Sequence, residues 1–299
     1  MEEYHNPVLL KESVDGLNIK PDGIYVDVTF GGGGHSKEIL KRLGEKGKLY
    51  AFDQDEDALN NALGDPRFTL INENFRFIKR FLRFQGVKKV DGILGDFGVS
   101  SHQFNVAERG FSTRFEAKLD MRMSQKSNLS ALEVINDYDH EQLKNIFFDY
   151  ADLRNASKIA SAIVKAREEA PIESSDQLKE VLQPFLFKEK EHKILAQIYQ
   201  AIRIEVNQEI AVLKEFLLQT EELLDKGGRI SLISYHSLED RLVKRYIRSG
   251  MFEGEPEKDF FGNISVPFKK VGGLIVPSPD EIYKNNRARS AKLRIAARL

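Results

Sequence analysis

The chain has 299 residues, 41% hydrophobic and 30% charged, with 45 Lys and Arg against 46 Asp and Glu. That balance fits one large or two modest globular domains, excludes global disorder, and leaves no overall field to draw in nucleic acid, so any basic surface must be local. Cys is absent, which excludes disulfides, thiolate nucleophiles and Cys-based zinc sites. No stretch approaches a membrane span, and the polar start lacks the order of a signal peptide, so a cytoplasmic enzyme with no membrane contact is expected.

The first third alternates two patterns. Residues 24–29, 48–53, 68–71 and 90–96 read as strands, and 36–43, 55–63 and 75–84 as helices. Such alternation predicts an α/β fold with a parallel sheet, whose ligands bind beyond the carboxyl ends of the strands. From 105 to 192 the pattern is helical, with helices expected over 129–135, 141–148, 156–169 and 175–182, the last capped by Ser174 or Ser175. Ile198, Ile202, Val206, Ile210, Leu213 and Leu217 then lie on one face of a long helix, which Gly227-Gly228 ends. A strand at 229–234, a helix at 237–248, a loop at 250–263 and strands at 266–271 and 291–296 complete the chain. The expected division is a sheet domain, residues 1–104 and 197–299, interrupted by a helical insertion, residues 105–196.

The first strand ends in Gly31-Gly32-Gly33-Gly34-His35 and opens a helix. Glycines allow a sharp turn and a close ligand approach. Asp53 ends the second strand, where a carboxylate can accept both ribose hydroxyls of an adenine nucleoside, and Asp96 ends the fourth on the same rim. Three aspartates at three strand ends, Asp27 included, favour a ligand site over simple helix caps. A dinucleotide fingerprint counted from Gly31 needs glycine at 36, where Ser36 stands, and an inward-pointing Asp27 would repel pyrophosphate. Both suit a phosphate-free, cationic cofactor, and S-adenosylmethionine is one.

Eight ordered strings then converge. They are His5–Leu10, 29–36 (TFGGGGHS), 96–101 (DFGVSS), 108–112 (ERGFS), 119–123 (LDMRM), 200–207 (QAIRIEVN), 234–244 (SYHSLEDRLVK) and 286–293 (NRARSAKL). With them the chain resembles the bacterial 16S ribosomal RNA cytosine-N4 methyltransferases, the MraW or RsmH family, over nearly its whole length. The resemblance implies a class I S-adenosylmethionine-dependent methyltransferase: a Rossmann-like, mostly parallel sheet with an inserted all-helical, substrate-recognising domain. It implies methyl transfer to N4 of one cytidine in the decoding region of 16S ribosomal RNA, within the small ribosomal subunit. It implies cofactor contacts at Gly33, Gly34, His35, Asp53, Phe75, Asp96 and Gln103. Phe75 suits adenine stacking or core packing equally. The chain departs from the family at Phe97, at 150–155, at Ile198-Tyr199 and at Asn286; the second of these puts substrate contacts of the helical domain in doubt.

The cytosine amine is a poor nucleophile, so catalysis rests on alignment and on an acceptor for its proton. The Asn/Asp-Pro-Pro-Tyr string of many amino-methyltransferases is absent. Asp96 holds its strand end and is the catalytic candidate, orienting substrate or cofactor ammonium. His236 is a second candidate, set against a structural hydrogen-bonding role. Arg241, Lys244 and Arg245 on one helix, and Arg287, Arg289 and Lys292 in a tail without acidic residues from 282 onward, are the expected RNA contacts. Tyr235 and Phe111 are candidates to stack the cytidine. No cluster has metal-ligand spacing. A small-molecule methyltransferase, an inactive RNA-binding assembly protein and a NAD-dependent dehydrogenase are the competing readings.

Overall fold

A computed structural model of the chain describes residues 7–187, 189–256, 260–261 and 264–299. His5 and Asn6 of the first string, and 257–259 and 262–263 of the expected loop, lie outside the described residues. The chain divides into two compact units, residues 1–98 with 210–299, and residues 99–209.

In the first unit the strands are β1 (Ile24–Asp27), β2 (Lys48–Phe52), β3 (Phe68–Ile71), β4 (Val90–Asp96), β5 (Leu224–Ser234), β6 (Phe268–Lys270) and β7 (Lys292–Arg298). They form one sheet in the order β3-β2-β1-β4-β5-β7-β6. β1 to β5 run parallel, and β7 is antiparallel to both β5 and β6. This is the Rossmann-like, mostly parallel sheet of the class I methyltransferase fold. The central strands are buried and read as near-continuous apolar runs, as in a sheet covered on both faces. The strand order reverses between β1 and β4, so a crevice opens at their carboxyl ends, where Asp27 and Asp96 stand.

Some elements differ from expectation. The segment expected as a helix at 55–63 is a 3₁₀ turn, Glu56–Asn61, and 75–84 begins as 3₁₀ before the helix Ile78–Phe84. In both, an Asx residue (Asp55, Asn74) caps the tighter turn through its side chain. β5 begins five residues early, at Leu224, because its first residue pairs with Val90 before the register shifts ahead of Gly92 and Arg229. Gly227, at φ 82°, lies in that irregular stretch.

The second unit is helical. Ser130, Asp139 and Ser174 each close a capping box at a helix start. Its core joins Leu143 and Phe147 of helix His140–Ala151, Ile159 and Ile163 of Ala156–Glu169, and Ile198 and Ile202 of Glu191–Val206. The single long helix expected through 198–217 is two helices, Glu191–Val206 and Glu209–Leu223. Gln208 adopts φ 51°, which no helix continues through. The Asn207 amide instead donates to the Met121 carbonyl at 2.8 Å and accepts from the Met123 N–H at 2.7 Å. The apolar spacing ran on across this break, which is why periodicity alone missed it. The unit boundary accordingly falls at 209/210 rather than 196/197, and at 98/99 rather than 104/105.

Candidate active site

The glycine turn is built from the aspartate that precedes it. Asp27 is fully buried; one oxygen accepts from the Thr29 N–H at 3.1 Å and the other from the Ser36 hydroxyl at 2.7 Å. It therefore ties the strand to the helix Gly34–Arg42 instead of facing the crevice, and the expectation that it repels a phosphate by pointing inward is corrected. Burial without a cationic partner pushes its carboxyl up to about 6. Gly33 caps that helix at φ 74°, and a Cβ there would meet the Phe30 ring at 2.9 Å. A Cβ on Gly34 would come 2.1 Å from Pro7, so the turn must be glycine where it packs. A Cβ on Gly31 would meet nothing within 4 Å. The open side of the turn is thus at Gly31, and its packed side is at Gly33 and Gly34.

Asp53, just past β2, accepts from the Gly31 N–H at 2.8 Å and from the Asp55 N–H at 2.9 Å. Each carboxylate oxygen keeps a second lone pair, so a sugar diol can still be bound. Burial raises this carboxyl also to about 6. Phe75 packs in an aromatic group with Phe97 and Phe216, at centroid distances of 5.9 and 5.3 Å, the second edge-on. It is only partly buried.

Asp96 ends β4. Its N–H donates to the Thr29 hydroxyl at 2.6 Å, and its Oδ1 accepts from the Tyr235 hydroxyl at 2.8 Å. The Oδ2 atom lies 4.0 Å from His35 Nδ1, beyond hydrogen-bond range, and the side chain is 22% exposed. Burial lifts the Asp96 carboxyl to about 6; His35 and the Tyr235 hydrogen bond act in the opposite sense. His35 is buried and its Nε2 lies 3.2 Å from the Val8 carbonyl. A carbonyl only accepts, so Nε2 carries the proton. Burial lowers the His35 pKa, and the Asp96 carboxylate acts in the opposite sense. The Tyr235 hydroxyl, buried beside Asp96, is held above its usual range. Tyr235 thus holds a carboxylate through its hydroxyl. Sequence reasoning missed this pair because its two members lie 139 residues apart.

His236 is the N-cap of the helix Ser237–Ser249: its Nδ1 accepts from the Glu239 N–H at 3.4 Å while Nε2 lies 3.1 Å from Glu239 Oε1. Glu239 also accepts from the Tyr235 and His236 N–H groups. The structural role therefore prevails over the catalytic one for His236. Two further candidates, Gln103 and Phe111, belong to the helical unit. Gln103 is buried in a capping box with Ser100, its Oε1 accepting from the Ser100 N–H at 3.1 Å. Phe111 is buried in the helical core and offers no face to a base, which corrects the second stacking candidate.

The basic residues separate by their partners. Arg241 and Lys244 are exposed on their helix, and Arg289 is exposed ahead of β7. Arg245 donates to the Gly254 carbonyl, and Arg287 is half-buried. Lys292 lies 3.5 Å from Asp240, which Arg294 also grips through two nitrogens. Lys292 thereby shares Asp240 with Arg294 while its side chain remains 39% exposed.

Comparison with known proteins bears on these features as a set. A model of the MraW methylase family matches residues 2–299. The chain belongs to the MraW methylase family. A relative in Christiangramia forsetii, named ribosomal RNA small subunit methyltransferase H, is 78% identical over 99% of this chain and 98% of its own. One of the same name in Bacteroides fragilis is 55% identical over 98% of this chain and 97% of its own. Among solved structures, a ribosomal RNA methylase from Streptococcus thermophilus aligns over 99% of both chains at 13% identity, with a TM-score of 0.45. As an MraW methylase, the chain carries its glycine turn, Asp53 and Asp96 on one rim of one unit.

Proposed function

We propose that this MraW methylase transfers the methyl group of S-adenosylmethionine to the exocyclic N4 of one cytidine in the decoding region of 16S ribosomal RNA. Small-subunit ribosomal RNA is what the curated relatives are named for, and N4 and the decoding region come from the sequence resemblance. The helical unit is proposed to recognise the substrate, and the exposed Arg241, Lys244 and Arg289 to contact phosphates. The setting is cytoplasmic, with the small ribosomal subunit as partner; among the described residues no helix is long and apolar enough to cross a membrane.

The cofactor fits the rim. The space beside Gly31 is open, and Asp53 retains lone pairs for the ribose hydroxyls. When bound, S-adenosylmethionine supplies a methyl group on a sulfonium, which leaves as a neutral thioether. The single observation that carries the mechanism is the uncommitted oxygen of Asp96. Tyr235 occupies Oδ1 and leaves Oδ2 open at the crevice. There Oδ2 accepts a hydrogen bond from the cytosine amine, turns its lone pair toward the methyl carbon, and takes up the proton that N4 releases as the C–N bond forms. A carboxyl near 6 is largely ionised at neutral pH yet basic enough to receive that proton.

The test is incubation with methyl-labelled S-adenosylmethionine and small subunits from cells lacking the modification, followed by digestion of the RNA. Label in N4-methylcytidine at one position is expected. Label on another base or atom, or none, overturns the proposal.

A further inference from the structure

β7 runs antiparallel to β5, and its first residue, Lys292, pairs with Ser234 at the carboxyl end of β5. The stretch leading into β7 therefore lies on the rim that carries Asp96 and Tyr235. It comprises the helix Pro279–Lys284 and the 3₁₀ turn Asn286–Ser290. Two side chains fix it. Glu281 accepts from the Leu9 N–H at 2.7 Å, one residue after the Val8 carbonyl that holds His35. Asn285 is buried and caps the turn, accepting from the Arg287 N–H at 3.1 Å.

Helix and turn enclose an open cleft of about 520 Å³, lined by Pro279, Ile282, Tyr283, Asn286 and Arg289. Tyr283 is 92% exposed, with its ring free of packing. Arg289 is exposed, and among the described residues neither side chain makes a hydrogen bond or ion pair. The nearest carboxylates in sequence are Glu281, already engaged, and Asp280, in the first turn of the helix. From 282 onward the chain has no acidic residue, while Lys284, Arg287 and Arg289 are cationic.

An exposed aromatic face beside an unpaired guanidinium suits one kind of ligand well. Stacking on an aromatic ring serves any base, and a planar guanidinium meets a phosphate with two parallel donors. The Asn286 amide adds a donor and an acceptor for a base edge. A base drawn out for chemistry also needs its neighbours held in place. We infer that this cleft binds a nucleotide of single-stranded RNA flanking the methylated cytidine, its base on Tyr283 and its phosphate on Arg289. The inference rests on the functional reading above and adds to it a site for the strand beside the target.

The test uses the full chain and a short fluorescein-labelled single-stranded oligoribonucleotide. Tyr283→Ala is expected to weaken binding about tenfold, and Tyr283→Trp to retain it. Arg289→Gln should lower the slope of log affinity against log salt by about 1, which Tyr283→Ala should not do. Both losses should raise KM for small ribosomal subunits while leaving S-adenosylmethionine affinity unchanged. Unaltered oligoribonucleotide affinity in Tyr283→Ala, or an unaltered salt slope in Arg289→Gln, overturns the inference. So does a loss seen with intact subunits alone, which would point to a protein contact. Oligoribonucleotide binding through Tyr283 without methyl transfer by the wild-type chain would sink the functional reading and leave the cleft as a nucleotide site.

Discussion

Asp27 and Asp96 end adjacent strands, stand on either side of the point where the strand order reverses, and are pushed by burial to about the same pKa. Their hydrogen bonds set them apart. Asp27 spends both oxygens inside the turn, on Thr29 and Ser36. Asp96 spends one on Tyr235 and keeps the other at the crevice. A perturbed carboxyl is therefore no guide to chemistry by itself; the unspent lone pair is what separates a reacting group from a fastening.

The sharpest way to break this contrast is Asp96→Asn. It should reduce kcat by about 10² to 10⁴, the range for a positioned acid or base, with thermal unfolding little changed. Near-normal turnover would remove Asp96 from the mechanism. Asp27 should answer on stability instead. Its folded pKa, about 6, lies above its ordinary 3.8, so the folded state holds the proton more tightly. Between those values stability falls as pH rises, by on the order of 3 kcal/mol, and levels off above about 6. Asp27→Asn should remove its share of that slope in denaturant titrations across pH, leaving the shares of Asp53 and Asp96, which burial raises to about the same value; an unchanged slope would mean that Asp27 contributes none of it.

Tyr235→Phe tests the division of labour within Asp96 itself. The hydroxyl stabilises the charged carboxylate, so its loss should raise the Asp96 pKa. The acidic limb of kcat/KM, expected near pH 6 in the wild type, should move to higher pH with about a tenfold loss in rate, the worth of one hydrogen bond to a charged group. A rate loss with an unmoved limb would reduce Tyr235 to packing. Lys292→Ala should have the smallest effect, within about 1 kcal/mol on stability, since Arg294 still holds Asp240. It should leave the salt dependence of RNA binding unaltered, whereas loss of the exposed Arg241 should lower it.

What the sequence disclosed follows the range of the forces involved. The strands to Asp96 were legible because buried parallel strands are apolar and end in glycine or aspartate. The cap was legible as Ser174 or Ser175, a serine pair ahead of an acidic first turn, and the box with Gln177 assigns it to Ser174. The turn at Gly33 and Gly34 was legible as a turn, though not that Phe30 and Pro7 are what exclude a side chain there. The Tyr235 bond to Asp96 and the Lys292 pairing with Asp240 were not legible, since each joins residues that only the folded sheet brings together. The break at Asn207-Gln208 was hidden for another reason: the apolar spacing is kept on both sides of it, and the signal is one amide reaching Met121 and Met123. The helix Pro279–Lys284 went unseen because it is too short for a period.

The bond from Leu9 to Glu281 spans 272 positions, and Leu9 follows the Val8 carbonyl that holds His35. During synthesis the glycine turn leaves the ribosome well before its clasp, which follows Leu9 by 272 positions. Closing so wide a loop is slow and entropically costly. The rim is therefore completed only once Glu281 has emerged, and a nascent chain that stalls before it carries every glycine of the turn and no fastened site.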